Sequence, residues 1–187
     1  DLNEPVGTYV AGFRCAGGER VRVHHLLSHT AGLPATRAYA DLGLVGREAV
    51  LADIGSISLA PVGGPIVYSD LGYILLGWVA EAASGQPLDR FLAERVFGPL
   101  GMHHTCCNPP RSWQQRCAAT EFRPHLGHHQ WGAVHDRNAG ILGGVSGHAG
   151  LFSTINDLSQ WVRAFFWPTS DGVFQPETVR RALRPLD

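Results

Sequence analysis

Between Leu71 and Ala83 the apolar residues Leu71, Ile74, Leu75, Trp78, Val79, Ala82 and Ala83 recur at helical spacing. A stripe of that width fits a helix laid against a core, and little else. Ser69 or Asp70 can cap its start, and Gly85 can end it in a left-handed turn. Pro87 suits the first turn of a second helix, which runs through Leu88, Phe91, Leu92 and Val96 to Gly98-Pro99. Together they predict a helical hairpin. The first helix is not a membrane span, because Tyr73 and Glu81 interrupt it and it falls short of the roughly 20 apolar residues a span needs.

Shorter signals flank the hairpin. Arg20-Val21-Arg22-Val23 alternates as a strand does, and His24 to Thr30 reads as a brief helix closed by Gly32 and Pro34. A helix is predicted over 46–54, then Pro61-Val62-Gly63-Gly64-Pro65 punctuates before a β-like run, Ile66-Val67-Tyr68. From Met102 to Val145 no periodicity shows, which predicts long irregular connections of the kind that often line sites. Thr154 followed by Asp157 gives a capping-box-like start to a helix with Leu158, Trp161, Val162, Phe165 and Phe166, stopped by Pro168. A last helix is predicted from about Pro176 to Leu183.

A chain of 187 residues, 44% hydrophobic and 17% charged, is one ordinary globular domain or most of one. Its net charge is -1 and its 15 basic residues are scattered, so no footprint for nucleic acid or an anionic membrane is expected. Small-molecule or peptide partners remain. Every basic residue is arginine, so no lysine-dependent chemistry can occur within these residues. Cys15, Cys106, Cys107 and Cys117 lack C-x-x-C spacing and are read as free thiols, with a bridge from Cys106 or Cys107 to Cys117 left open. Residue 1 is Asp and no basic-then-apolar leader follows, so a targeting segment would lie upstream. The compartment, periplasmic or secreted or cytoplasmic, is therefore not legible.

Ten histidines invite a metal reading, but the pattern gives none. His125, His128, His129 and His135 lack the i, i+4 spacing of an H-E-x-x-H site and its carboxylate base. His29, in the turn after the brief helix, is expected to buttress a loop. Gly144-Val145-Ser146-Gly147-His148 approaches a G-x-S-x-G nucleophile elbow but fails at its last position and lacks the strand-to-helix setting, so Ser146 is read as a loop residue.

Four stretches, in order, resemble the serine β-lactamase-like family of class C β-lactamases, penicillin-binding DD-peptidases and related esterases. Val21 to Pro34, with Leu26-Leu27-Ser28-His29-Thr30-Ala31-Gly32-Leu33-Pro34, looks like the family's "hLLsHtsGLP" segment. Tyr68-Ser69-Asp70-Leu71-Gly72-Tyr73 looks like its Tyr-x-Asn region, and Pro99-Leu100-Gly101-Met102 like its "PLGM" turn. Val134-His135-Asp136 through Gly147-His148-Ala149-Gly150-Leu151-Phe152-Ser153-Thr154 looks like the loop and strand before its "DL" helix, which makes His148 structural rather than the family's late His-x-Gly motif.

The resemblance covers nearly all of the chain and implies an α+β, mainly α fold: the helical lobe of a two-lobed hydrolase whose main sheet is largely missing. It implies one partial domain over 1–187, lacking the N-terminal Ser-x-x-Lys part and the C-terminal Lys-Thr-Gly or His-Thr-Gly part. The parent would be a serine hydrolase acting through an acyl-enzyme on β-lactams, D-amino-acid peptides or esters, with no metal or organic cofactor. The piece alone is expected to be inert. The rival is a non-catalytic relative that senses ligands or binds cell wall.

Acylating a serine requires a proton to leave its hydroxyl and reach the leaving group, and a phenol whose pKa is depressed by cations can carry it. The resemblance implies that role for Tyr68. Its bland alternative is a half-buried tyrosine anchoring the helical hairpin. Asp70 stands where many members carry a substrate-orienting asparagine; it adds a charge and loses two donors. It is a substrate-binding candidate, with capping of the Leu71 helix as the alternative.

Overall fold

A computed structural model describes residues 1–124 and 126–184; His125 and the end of the chain from 185 lie outside the described residues. The core is built on α4 (Asp70–Ser84), which buries Leu71, Ile74, Leu75, Trp78 and Val79. Its predicted punctuation is present: Ser69 caps it, and Gly85 ends it at φ 68° with its N–H on the Glu81 carbonyl at 2.8 Å. Three short helices lie with it: α1 (Val6–Tyr9), α2 (Val23–Leu27) and α3 (Gly46–Gly55). They contribute Val6, Val23, Leu26, Val50 and Ile54 to the same buried cluster. Full burial of a Leu or Ile side chain contributes about 1.5–3 kcal/mol, so this cluster outweighs any surface pair in holding the helices together.

The second arm of the hairpin is α5 (Leu88–Leu92), continued by a π-helical turn over Ala93–Phe97 that ends at Gly98-Pro99. α7 (Ile155–Phe166) and α8 (Pro176–Ala182) also lie where periodicity predicts them. Thr154 caps α7 through the Asp157 N–H, but Asp157 does not close the expected capping box. Its carboxylate instead turns toward the 104–105 segment.

Two expected strands are not strands. Arg20 ends a 3-10 turn (Gly18–Arg20) and Val23 opens α2, with one isolated bridge from Arg22 to Pro5 between them. The alternation over 20–23 reflects Val21 and Val23 both reaching the core. Ile66-Val67-Tyr68 is extended but joins no ladder among the described residues, and all three side chains are exposed.

Conversely, the stretch over 102–145 holds more structure than its lack of periodicity predicts. β1 (Cys106–Cys107) pairs antiparallel with β4 (Leu151–Phe152), and β2 (Ala119–Arg123) with β3 (His128–Trp131). A 3-10 turn (Arg111–Arg116) and α6 (Arg137–Ile141) complete it. The mainly helical α+β fold with little sheet is thus as the resemblance implies. One face of α7 is unusual: Ile155, Leu158, Val162 and Phe166, one helical stripe, are all exposed.

Candidate active site

Tyr68 lies between two backbone anchors. Val67 N–H donates to the His29 carbonyl at 2.9 Å, and Ser69 N–H donates to His29 Nδ1 at 3.0 Å. Buried Ser69 also donates through Oγ to the Pro34 carbonyl at 2.7 Å while accepting the Gly72 N–H at the helix start. Asp70 N–H closes the set on the Ala35 carbonyl at 2.8 Å. The turn holding these acceptors is itself constrained. His29 adopts φ 58°, and Gly32 at φ 74° lies against the Ala60 backbone, where a Cβ would collide.

Both site tyrosines pack on the His29 ring. Tyr73 stacks at 4.9 Å between centroids and donates its hydroxyl to the Leu27 carbonyl at 3.3 Å. Tyr68 packs at 4.6 Å, yet remains 70% exposed. Tyr68 is therefore not a half-buried anchor; Tyr73 holds that place. Since a backbone N–H can only donate, His29 Nδ1 is the unprotonated nitrogen, and its neutral ring carries hydrogen on Nε2. The expectation that His29 buttresses a loop is met by this bond.

Asp70 occupies the first turn of α4, and its carboxylate forms no hydrogen bond or ion pair with any described residue. The cap is Ser69, whose φ −134° and ψ 117° are those of a residue outside the helix, whereas Asp70 is already inside it. The capping alternative for Asp70 is thus corrected: the cap is Ser69.

A second polar cluster was missed in the sequence. His148, 3% exposed, places Nε2 at 2.9 Å from Asp136 Oδ1 and Nδ1 at 2.8 Å from Ser146 Oγ. Asp136 also caps α6 through the Ala139 N–H at 2.7 Å. Burial raises the Asp136 pKa, but these hydrogen bonds outweigh it and leave the carboxyl below its ordinary value. The near-elbow around Ser146 was the one local signal, and it does not point to Asp136. The loop is tied to the site helix: an added Cβ at Gly77 would lie 2.9 Å from the Gly147 nitrogen.

Elsewhere, Asp157 accepts from His104 N–H and Thr105 Oγ1, both at 2.8 Å. The four cysteines are free thiols, and burial, then Asp89 and Cys106, pushes Cys107 up to about 11. His128 and His129 hydrogen-bond to main-chain carbonyls, and His135 faces Glu121 at 3.2 Å. No cluster of three or more His, Cys, Asp or Glu suited to a metal occurs among the described residues. No helix among them is long and apolar enough to cross a membrane.

Comparison with known proteins places this architecture. The Beta-lactamase family model matches residues 1–186, and the chain belongs to that family. A protein of Salmonella schwarzengrund (strain CVM19633) named "Putative D-alanyl-D-alanine carboxypeptidase" is 32% identical in a 186-residue alignment covering 85% of this chain and 43% of that protein. The chain thus spans less than half the length of the curated relatives it matches. Among solved structures, a class C β-lactamase aligns at TM-score 0.73 and 22% identity, over 98% of this chain and 47% of the other. The octameric penicillin-binding protein homologue from Pyrococcus abyssi aligns at TM-score 0.71 and 23% identity, over 96% and 42%. A β-lactamase/D-alanine carboxypeptidase from Pseudomonas syringae gives TM-score 0.73 at 20% identity, over 98% and 48%. At these identities the solved structures establish the fold.

Proposed function

We propose that these residues are an internal part of a serine hydrolase that forms a serine acyl-enzyme, with Tyr68 as its base or proton relay. The observation that carries this reading is Tyr68 itself: its backbone is fixed on both sides by His29, while its ring stays 70% exposed. A tyrosine kept for packing is buried, as Tyr39 is at 0%. A phenol held rigidly at a surface is placed to exchange a proton with a group brought to it.

In this mechanism Tyr68 takes the proton of the serine hydroxyl as the acyl carbon–oxygen bond forms, then delivers it to the departing group; water reverses the sequence. The chain holds no lysine, so neither the Ser-x-x-Lys pair nor a Lys-Thr-Gly strand is supplied by residues 1–187, and no His-Thr-Gly run occurs among them either. The 187 residues alone therefore turn over no β-lactam, D-amino-acid peptide or ester. Substrates are small molecules or peptides of those three kinds, and the name of the Salmonella relatives favours D-amino-acid peptides. Asp70, an acceptor only, suits a substrate amine or N–H better than a carbonyl. Neither nucleic acid nor a metal or organic cofactor takes part.

The gene on both sides of this segment tests the reading. An upstream Ser-x-x-Lys and a product whose mass rises by one acyl group with a β-lactam or an activated ester support it. A second reading is a non-catalytic ligand sensor or cell-wall binder that keeps this lobe without the serine chemistry. Binding of a D-amino-acid peptide without acylation, by a gene product lacking that motif, would establish the second.

A further inference from the structure

We propose that Ser146, His148 and Asp136 form a second, independent site that captures electrophilic acyl or phosphonyl groups on the Ser146 oxygen. Asp136 is ionised at neutral pH and can only accept, so the hydrogen between it and His148 belongs to Nε2. In the neutral ring the Nδ1 lone pair then faces Ser146, whose hydroxyl donates to it at 2.8 Å. Nucleophile, base and orienting carboxylate are in hydrogen-bonding order, with the two ring nitrogens exchanged relative to the usual serine triad. The Asp136 carboxylate is itself fixed by the Ala139 N–H, so the base is held in one orientation.

The His148 side chain is 3% exposed, and Ser146 and His148 as whole residues are both partly buried. The preceding residue, Val145, lines a neighbouring cleft of about 240 Å³ whose walls also include Arg47, Trp78, Glu81 and Asp89. With a fluorophosphonate, the Ser146 oxygen attacks phosphorus, a P–O bond forms and the P–F bond breaks. Fluoride departs, and the hydroxyl proton passes to His148 Nδ1 and then to solvent. With an activated ester, the same proton leaves with the alcohol. Capture is a single stoichiometric event, distinct from the turnover assigned to Tyr68 and independent of it.

The test uses the 187-residue chain as it stands, treated at neutral pH with a fluorophosphonate probe and read by intact mass and peptide mapping. One adduct per chain is expected, located on Ser146, absent from Ser146→Ala and from the urea-unfolded wild type. His148→Gln should slow labelling about 100-fold or more. Circular dichroism separates that effect from misfolding, and the unfolded wild-type control keeps the test decisive if the variant does not fold. No adduct, an adduct mapped to Tyr68 or another residue, or equal labelling of folded and unfolded chain would overturn the proposal. Labelling at Ser146 and acyl turnover by the longer gene product are separate readouts, so failure of this proposal leaves the turnover test of Tyr68 standing.

Discussion

The imidazole of His29 accepts the backbone N–H of Ser69 at 3.0 Å across 40 residues of sequence, and this bond fixes the entry to α4 beside Tyr68. Leaving a buried N–H unpaired costs about 1–3 kcal/mol. His29→Ala is therefore expected to lower the unfolding free energy in urea by that amount, with loss of the ring under Tyr68 and Tyr73 adding to it. A variant within about 0.5 kcal/mol of wild type would show that the bond does not hold the site.

Asp157 makes stability fall in acid. Burial raises its pKa, but the hydrogen bonds from Thr105, His104 and Thr154 outweigh this and leave it below its ordinary value. A folded pKa below the unfolded one stabilises above the unfolded value, about 3.9, and that contribution is lost as pH falls through the folded value. Asp157→Asn should therefore be less stable than wild type at pH 7, with the gap closing toward pH 3. A gap that stays constant between those pH values would remove the carboxylate from the account.

The loop over 143–150 meets α4 backbone to backbone where Gly147 lies against Gly77. A Cβ on Gly147 would lie 2.8 Å from the Gly77 nitrogen, whereas one on Gly7 meets nothing nearer than the Phe13 carbonyl at 4.0 Å. Gly147→Ala should cost at least the roughly 1–3 kcal/mol typical of overpacking, since backbone cannot move aside as a side chain does. Gly7→Ala, in a helix, should be neutral or slightly stabilising. Equal melting temperatures for the two variants would contradict this packing.

How much was legible in advance depended on where the physics is local. α4, α5, α7 and α8 announce themselves through 3.6-residue spacing and through Ser69, Gly85, Pro87, Thr154 and Pro176, because caps and apolar stripes act within a turn or two. The β2–β3 hairpin shows no alternation because nearly all its side chains are exposed on both faces. Ile66-Val67-Tyr68 misleads in the opposite sense: β-propensity reflects packing on a pleated surface, and these residues have no partner strand among those described. The role proposed for Tyr68 rests in the sequence on resemblance alone, since nothing in composition separates it from the other tyrosines. The bond from His148 to Asp136 forms only when a long loop folds back, so no short motif carries it.

The exposed stripe Ile155, Leu158, Val162 and Phe166 contributes little to the stability of this chain. Replacing Ile155 and Val162 by Ser should change the unfolding free energy by less than about 0.5 kcal/mol per site. Dye binding that reports exposed apolar surface should fall in the same variant. A loss of several kcal/mol would mean that the stripe is packed in solution.

The most direct measurement is turnover of nitrocefin and a p-nitrophenyl ester by the complete gene product containing these residues, compared with its Tyr68→Phe variant. The account predicts serine-dependent hydrolysis by the wild type and a fall in kcat of about 100-fold or more with folding intact. Equal kcat values for the two proteins would contradict the role assigned to Tyr68.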